Sequence, residues 1–362
     1  MKTIRVPLGA RSYSIVIASS YQTLPARLRA LDLAPCGWVI SHRSLLARFG
    51  SELLAPLRRA GWRLSTITVP ESERSKSSAM AERILSRLAR GSTMRTPVVL
   101  AFGGGVIGDL AGFVAAVFRR GVPYVQLPTT LLSQVDSAIG GKVGVDVAVA
   151  KNLIGAFYQP RLVFCHVGLL RWLPIRQRRS GLSEVIKYAA IADPTLFRFL
   201  EDHLEPCLAG ELRVNRVMVE RCARIKARIV GQDERERKGI RTQLNFGHTL
   251  GHALEAATGY RRFTHGEAIA IGMACASRIG VALGCTPSSA HARLVRLFAR
   301  AGLPTRTSGL RLAAVRQALV HDKKFTHGRM RWVLLRRIGQ VIVSDRVPPA
   351  LMWRVIREHI AG

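Results

Sequence analysis

Three observations predict an α/β fold in two parts. Short apolar runs alternate with helical patterns up to about residue 173, helical spacing stands almost alone beyond it, and 362 residues suit two domains. The apolar runs are residues 14–18, 38–40, 64–69, 98–102, 124–127 and 162–165. Several lack polar alternation, as strands buried on both faces of a parallel sheet do. Helical patterns at 78–90 and 108–118 lie between them, in the manner of a doubly wound sheet. After Pro174, residues 182–192, 214–230, 249–257, 267–283 and 291–301 have helical spacing. A late apolar pair, 331–335 and 341–343, suits a small hairpin. The expectation is an N-terminal Rossmann-like parallel-sheet domain over 1–173, followed by a mostly α-helical C-terminal domain over 174–362.

Composition narrows the class. An apolar fraction of 48% argues against a disordered chain. The most membrane-like stretch, 268–285, is interrupted by Arg278. No apolar signal core follows Met1, and the six cysteines are dispersed without a C-x-x-C pair. Both features point to a soluble protein of a reducing, cytoplasmic compartment with no membrane partner. The net charge of +32 favours anionic partners. Yet the arginines are spread along the chain and aromatics make up only 6%, so the stacking platforms of a single-strand binder are missing. Most of the arginine reads as solvated surface, and no specific nucleic-acid partner is expected. Only nine of the 55 basic residues are lysine, and a guanidinium cannot replace an ammonium at a tight anion site. The lysines therefore mark candidate sites.

Residues 98–102 run into Gly103-Gly104-Gly105-Val106-Ile107-Gly108-Asp109, a glycine-rich strand-to-helix turn able to receive a phosphate group. No acid lies between Asp109 and Asp136, so a ribose would be gripped elsewhere, for instance by the carboxylates of the 71–76 segment. A tight turn without a ligand is the plain alternative. His248 and His252 share a helix face, His265 follows, and Glu184 sits in an apolar helix where a buried acid wants a cation. These suggest a metal with an open coordination position, against the simpler reading of Glu184 as the ion-pair partner of Lys187. The segment from Pro128-Thr129-Thr130 through Asp136 to Lys142, with Lys151-Asn152, reads as a polar, anion-friendly loop system. With Lys226, Arg241, Asn245 and 321–324 it suggests a phosphate clamp.

In order along the chain stand GGGVIGDLAGFVAA, RGVPYVQLPTTLLSQVDSAIGGKVGV, KNLIGAFYQP, EVIKYA, NFGHTLGHALEA, HGEAIAIGM and DKK. On these the sequence resembles the 3-dehydroquinate synthases, within the sugar phosphate cyclases, over nearly its whole length. The resemblance implies a zinc- and NAD-dependent lyase, with cobalt a possible substitute for zinc. Its substrate would be the sugar phosphate 3-deoxy-D-arabino-heptulosonate 7-phosphate. Carried over by motif, Glu184, His248 and His265 would hold the metal. Glu73, Lys76, Gly104, Gly105, Val106, Asp109, Thr129, Thr130, Lys142, Lys151, Leu169 and Trp172 would line NAD. Arg120, Asp136, Lys142, Asn152, Lys187, Lys226, Arg241, Asn245, His252 and one of Lys323 or Lys324 would hold substrate. Of these, Lys142, Lys187, Arg241, Asn245 and His252, together with Glu236, would carry catalysis. Arg120 implies a homodimer, because its counterpart in the family reaches a neighbouring subunit. The chain departs from the family pattern at 147–150, at Ser41-His42, at Trp172 and Ser180, and in the 226–241 spacing, which displaces Glu236 by one residue. A sister cyclase with another substrate, or a metal-dependent alcohol dehydrogenase, is the alternative.

Overall fold

The computed structural model describes residues 1–91, 97–147, 150–321, 325–326 and 329–361. They form two compact units, Met1–Trp172 with Asn215–Arg235, and Leu173–Val214 with Glu236–Gly362. The expected division at 173/174 had left Asn215–Arg235 with the second half; that segment packs with the first.

The first unit contains β1 (Lys2–Val6), β2 (Tyr13–Ala18), β3 (Cys36–His42), β4 (Arg63–Val69), β5 (Val98–Gly103), β6 (Tyr124–Pro128), β7 (Lys142–Val147), β8 (Ala150–Phe157) and β9 (Leu162–His166). Its helices include α1 (Leu24–Arg29), α2 (Arg43–Arg59), α3 (Ser78–Gly91) and α4 (Gly105–Val117). Seven strands form one sheet in the order β1-β2-β9-β6-β5-β3-β4, parallel except for β1. The apolar runs are continuous because successive residues of a strand feed opposite cores. Val99 and Ala101 pack on the α3–α4 side with Ile84, Leu88, Ile107 and Leu110. Val98, Leu100 and Phe102 pack on the α1–α2 side with Leu24, Leu28, Leu53 and Leu57. The order reverses between β3 and β5, and in such sheets ligands bind beyond the carboxyl ends of the strands at that point. Segments 71–76, 103–109 and 129–130 all lie at such ends.

Two parts of this unit depart from the sequence reading. β1 is an antiparallel edge strand with only Ile4 and Val6 buried, too short a pattern to register as a strand. The supposed loop system beyond Asp136 contains an antiparallel ribbon instead. Lys142 opens β7, and Lys151 and Asn152 lie within β8.

The second unit is built from α5 (Ile175–Ala192), α6 (Pro194–Asp202), α7 (Leu204–Ala209), the start of α8 (Leu212–Gln232), α9 (His248–Ala257), α10 (His265–Ala282), α11 (Ser288–Arg300), α12 (Leu312–His321) and α13 (Pro349–Ile360). Short strands β10 (Phe325–Thr326) and β11 (Arg329–Met330) form one pair, and β12 (Trp332–Arg337) and β13 (Gln340–Ser344) the expected hairpin. α10 is buried on nearly every side, which accounts for the membrane-like composition after residue 268. No helix among the described residues is long and apolar enough to cross a membrane.

The glycines of the 103–112 run serve packing as much as ligand approach, since none of Gly103, Gly104, Gly105, Gly108 and Gly112 has positive φ. A Cβ on Gly108 falls 2.9 Å from the Gln126 side chain, and one on Gly112 falls 2.4 Å from Val143. Gly112→Ala is therefore expected to destabilise the protein by about 1–3 kcal/mol, because branched Val143 cannot swing aside. Urea unfolding measures the loss, with an unchanged m-value showing that the fold itself is kept.

Candidate active site and metal centre

In the first unit most of the polar residues singled out in the sequence fall into two networks. Lys76, buried at the end of the short turn Glu73–Ser75, donates to Asp109 Oδ2 at 2.5 Å and to the Asn152 side-chain oxygen. Asn152 itself donates its backbone N–H to Asp146 at 2.8 Å, and Lys151 reaches Glu73 at 2.9 Å. Burial pushes the Asp109 carboxyl up while Lys76 opposes it. Burial likewise works against the Lys76 ammonium, but Asp109 outweighs it and holds the amine above its ordinary value. Beside this network Gly104 caps α4 with no side-chain hydrogen bond, leaving the positive end of that helix to a ligand. Thr129 donates its N–H to Gly103 at 3.0 Å, and Thr130 is tied to Ser133.

The second network joins Lys226 on α8 to Asp136, in a π-helical turn, at 2.8 Å. Lys142 is exposed at the head of β7. Arg119 and Arg120 both have positive φ (50° and 63°), an uncommon pairing for non-glycine residues, and present the Arg120 side chain outward. Leu169 is buried in the α1–α2 core, and Trp172 is exposed under the guanidiniums of Arg48 and Arg171.

The second unit gathers Glu184, His248 and His265, with ligand atoms all within 4.8 Å of one another. Helix backbones touch to make this possible. A Cβ on Gly266 would lie 2.2 Å from the Ser180 carbonyl oxygen, one turn of α5 before Glu184. A Cβ on Gly272 would lie 1.9 Å from the Gly247 carbonyl oxygen, next to His248. The start of α10 is pinned by a capping box between Thr264 and Glu267. Arg176 holds Glu267 at 2.8 Å, and Ser180 Oγ accepts the Gly266 N–H at 3.0 Å. His265, the first residue of α10, is thereby fixed.

Glu184 is fully buried, with Lys187 against its Oε2. Its Oε1 has no hydrogen-bond partner, and the Nε2 atoms of His248 and His265 stop at 3.6 and 3.5 Å. Those gaps are long for hydrogen bonds but suit ligands of one tetrahedral ion, whose bonds of about 2.0–2.2 Å set donors roughly 3.3–3.6 Å apart. His248 Nδ1 donates to the Phe246 carbonyl at 3.2 Å, which leaves its Nε2 lone pair for a metal. His265 Nδ1 faces Glu255 Oε2 at 3.3 Å and orients that ring in the same way. The orphaned carboxylate oxygen and the two Nε2 atoms fit a divalent cation.

His252 packs beside both imidazoles, with ring centroids 5.2 Å from His248 and 6.1 Å from His265. Arg241, buried, lies 3.3 Å from Glu236, whose own φ is +58°. Asn245 ends the same short helix, Ile240–Asn245. Lys323 and Lys324 lie outside the described residues. The functional group that sequence reasoning missed is Glu255. Its signal was present: it stands three residues after His252 and seven after His248, on one helix face.

Burial works against a charged His265, but Glu184 and Glu255 outweigh it and raise its pKa to about 10. Without metal the ring is an imidazolium at neutral pH, and metal uptake must expel the Nε2 proton. Zinc binding at pH 7 should therefore release protons, and apparent affinity should climb as pH rises toward 10, as calorimetry in buffers of different ionisation enthalpy would read. Because the folded value exceeds the unfolded one, the contribution of His265 to metal-free stability is complete below about pH 6.5. It drains away as pH climbs toward 10. Glu255→Gln should weaken metal affinity about 10–100-fold in a chelator competition.

Comparison with known proteins agrees between sequence and structure. The family descriptions 3-dehydroquinate synthase N-terminal and C-terminal match residues 66–180 and 181–325. A 3-dehydroquinate synthase from Pelotomaculum thermopropionicum is 44% identical over 95% of the chain and 93% of its own length. One from a Picosynechococcus is 41% identical over 98% of each. Among solved structures, a 2-epi-5-epi-valiolone synthase from Streptomyces hygroscopicus with NAD+ and Zn2+ bound superposes with a TM-score of 0.88 at 25% identity, covering 96% of each chain. A glycerol dehydrogenase from Schizosaccharomyces pombe, at 15% identity and a TM-score of 0.66 over 95% of this chain and 88% of its own, shares the fold alone.

Proposed function

This chain belongs to the 3-dehydroquinate synthase family, and from that premise we propose that it is a cytoplasmic, phosphate-eliminating lyase. It would convert 3-deoxy-D-arabino-heptulosonate 7-phosphate to 3-dehydroquinate and phosphate in the second step of the shikimate pathway. The observation that carries the metal dependence is the orphaned Glu184 oxygen between two oriented imidazoles. Relatives at 41–44% identity favour this substrate over that of a sister cyclase.

Bound NAD supplies a reversible hydride acceptor, and a bound divalent ion, zinc or cobalt, supplies a charge that polarises substrate hydroxyls and lowers their pKa. In the first unit Glu73, Lys76, Asp109, Thr129, Thr130 and Lys151, at carboxyl ends of strands and on the β8 ribbon, hold the cofactor. Gly104, Gly105 and Val106 bring backbone N–H groups to its phosphates, with Lys142 and Trp172 alongside; Leu169, expected there too, is instead packed into the α1–α2 core. Asp136, Lys226 and Asn152 bind substrate, the Lys226–Asp136 pair holding that ammonium in one position.

In the second unit Lys187, Arg241 and Asn245 bind the anionic and hydroxyl groups of the substrate. Arg241 is steered by Glu236, and concentrated positive charge stabilises the departing phosphate. The leaving phosphate has an oxygen able to take the neighbouring C–H proton, so the elimination needs no dedicated side-chain base. His252, beside both metal-ligating rings, exchanges protons with the substrate hydroxyls. Arg120, exposed on its strained turn, would act in the site of a second copy in a homodimer.

Incubation with the heptulosonate phosphate, zinc and trace NAD should release inorganic phosphate with no net NADH. A chelator, Glu184→Ala or His265→Ala should each bring release to background. Stoichiometric NADH would instead identify a dehydrogenase, and undiminished turnover in metal-free protein would remove the metal from the reaction.

A further inference from the structure

The second unit contains a cavity of about 100 Å³ lined by Ala274 and Arg278 of α10, His291 and Val295 of α11, Thr305 and Arg306 between α11 and α12, and Glu358 and His359 of α13. Arg278 lies thirteen residues after His265, roughly 20 Å along α10 at 1.5 Å per residue, so the cavity is separate from the metal centre.

Hydrogen bonding fixes both of its histidines. Ser277 Oγ gives its proton to the Ala274 carbonyl at 2.9 Å, so it accepts from His291 Nδ1 at 2.8 Å. His359, only 4% exposed, donates Nδ1–H to the Val355 carbonyl at 2.8 Å. Each neutral ring therefore carries its lone pair on Nε2, and no described residue bonds to either Nε2. Burial, then the guanidiniums of Arg278 and Arg306, holds both rings below the ordinary histidine value, although the Val355 carbonyl and Glu358 pull His359 the other way. At neutral pH the cavity thus offers two acceptors, two guanidiniums and one carboxylate, with Arg278 4.0 Å from Glu358.

A fully ionised anion would meet the guanidiniums but also two lone pairs and the Glu358 carboxylate. A metal cation would meet the lone pairs but also two fixed positive charges. A ligand that is anionic and still carries two hydroxyl protons satisfies the two guanidiniums and the two Nε2 atoms, while Glu358 keeps Arg278 as its neighbour. We propose that this cavity binds a small protonated oxyanion, with inorganic phosphate as its chemical type: its oxygens accept from Arg278 and Arg306, and its hydroxyls donate to the Nε2 atoms of His291 and His359. The volume admits one such tetrahedral ion or a few waters.

Histidine labelled with carbon-13 at Cε1 gives a direct readout, with His291→Gln and His359→Gln assigning the two signals. At pH 7 inorganic phosphate should shift both signals saturably, with half-saturation on the order of 1 mM. Sulfate, which brings no proton, should shift them only once acid has charged the rings, below the ordinary histidine range. Arg278→Gln combined with Arg306→Gln, both at exposed positions, should raise the half-saturation at least about tenfold. Signals unmoved by phosphate to about 50 mM, or an equal response to sulfate at pH 7, would overturn the assignment on wild-type protein alone. A half-saturation left unchanged in the double variant would overturn it too.

Discussion

The chemistry of the second unit depends on the burial of one carboxylate. Glu184 has no exposed surface, and an isolated charge there would cost many kcal/mol. Lys187 meets one oxygen and leaves the other facing two imidazoles. Without an ion, His265 answers that demand by holding a proton well above its ordinary range. With an ion, the same lone pairs become ligands. Proton and metal are thus two solutions to a single electrostatic problem, and the helices around Glu184 are arranged so that one of them is always needed.

The first unit solves a related problem differently. Lys76 and Asp109 are both largely sequestered and satisfy each other, with Asn152 taking a further ammonium proton. The result is a fixed, internally paired platform at the carboxyl ends of β4 and β5. A paired ammonium holds its geometry at little risk; an unpaired carboxylate oxygen stores affinity for a cation.

Much of this was legible in the sequence. All six apolar runs are strands of the parallel sheet, extended by a residue or two at their ends, because double-sided burial leaves an unmistakable composition. A metal cluster drawn from Glu184, His248, His252 and His265 was also readable from residue type and helical spacing; the choice of Glu184, His248 and His265 among them came from the family resemblance, and the structure does bring those three residues' ligand atoms together. What escaped was anything that depends on pairing across space. The β7–β8 ribbon is interrupted by glycines and by Lys142, Asp146, Lys151 and Asn152, so its strands look like loop until they are seen hydrogen-bonded to each other. Glu255 looks like a solvated helix residue until His265 arrives from the next helix. The glycines after β5 suggested a phosphate turn, although several of them answer to Ile107, Gln126 and Val143.

The contacts at Gly266–Ser180 and Gly272–Gly247 have an evolutionary corollary. Where two helices meet backbone to backbone, no side chain lies between them to take up a change, so the seam tolerates neither gradual enlargement nor compensating drift. A side chain at Gly266 or Gly272 would accordingly displace Glu184, His248 and His265 relative to one another rather than one at a time. Divergence toward new substrates must then be confined to residues that line the reacting groups without belonging to a seam, a much smaller set than the length of the chain suggests.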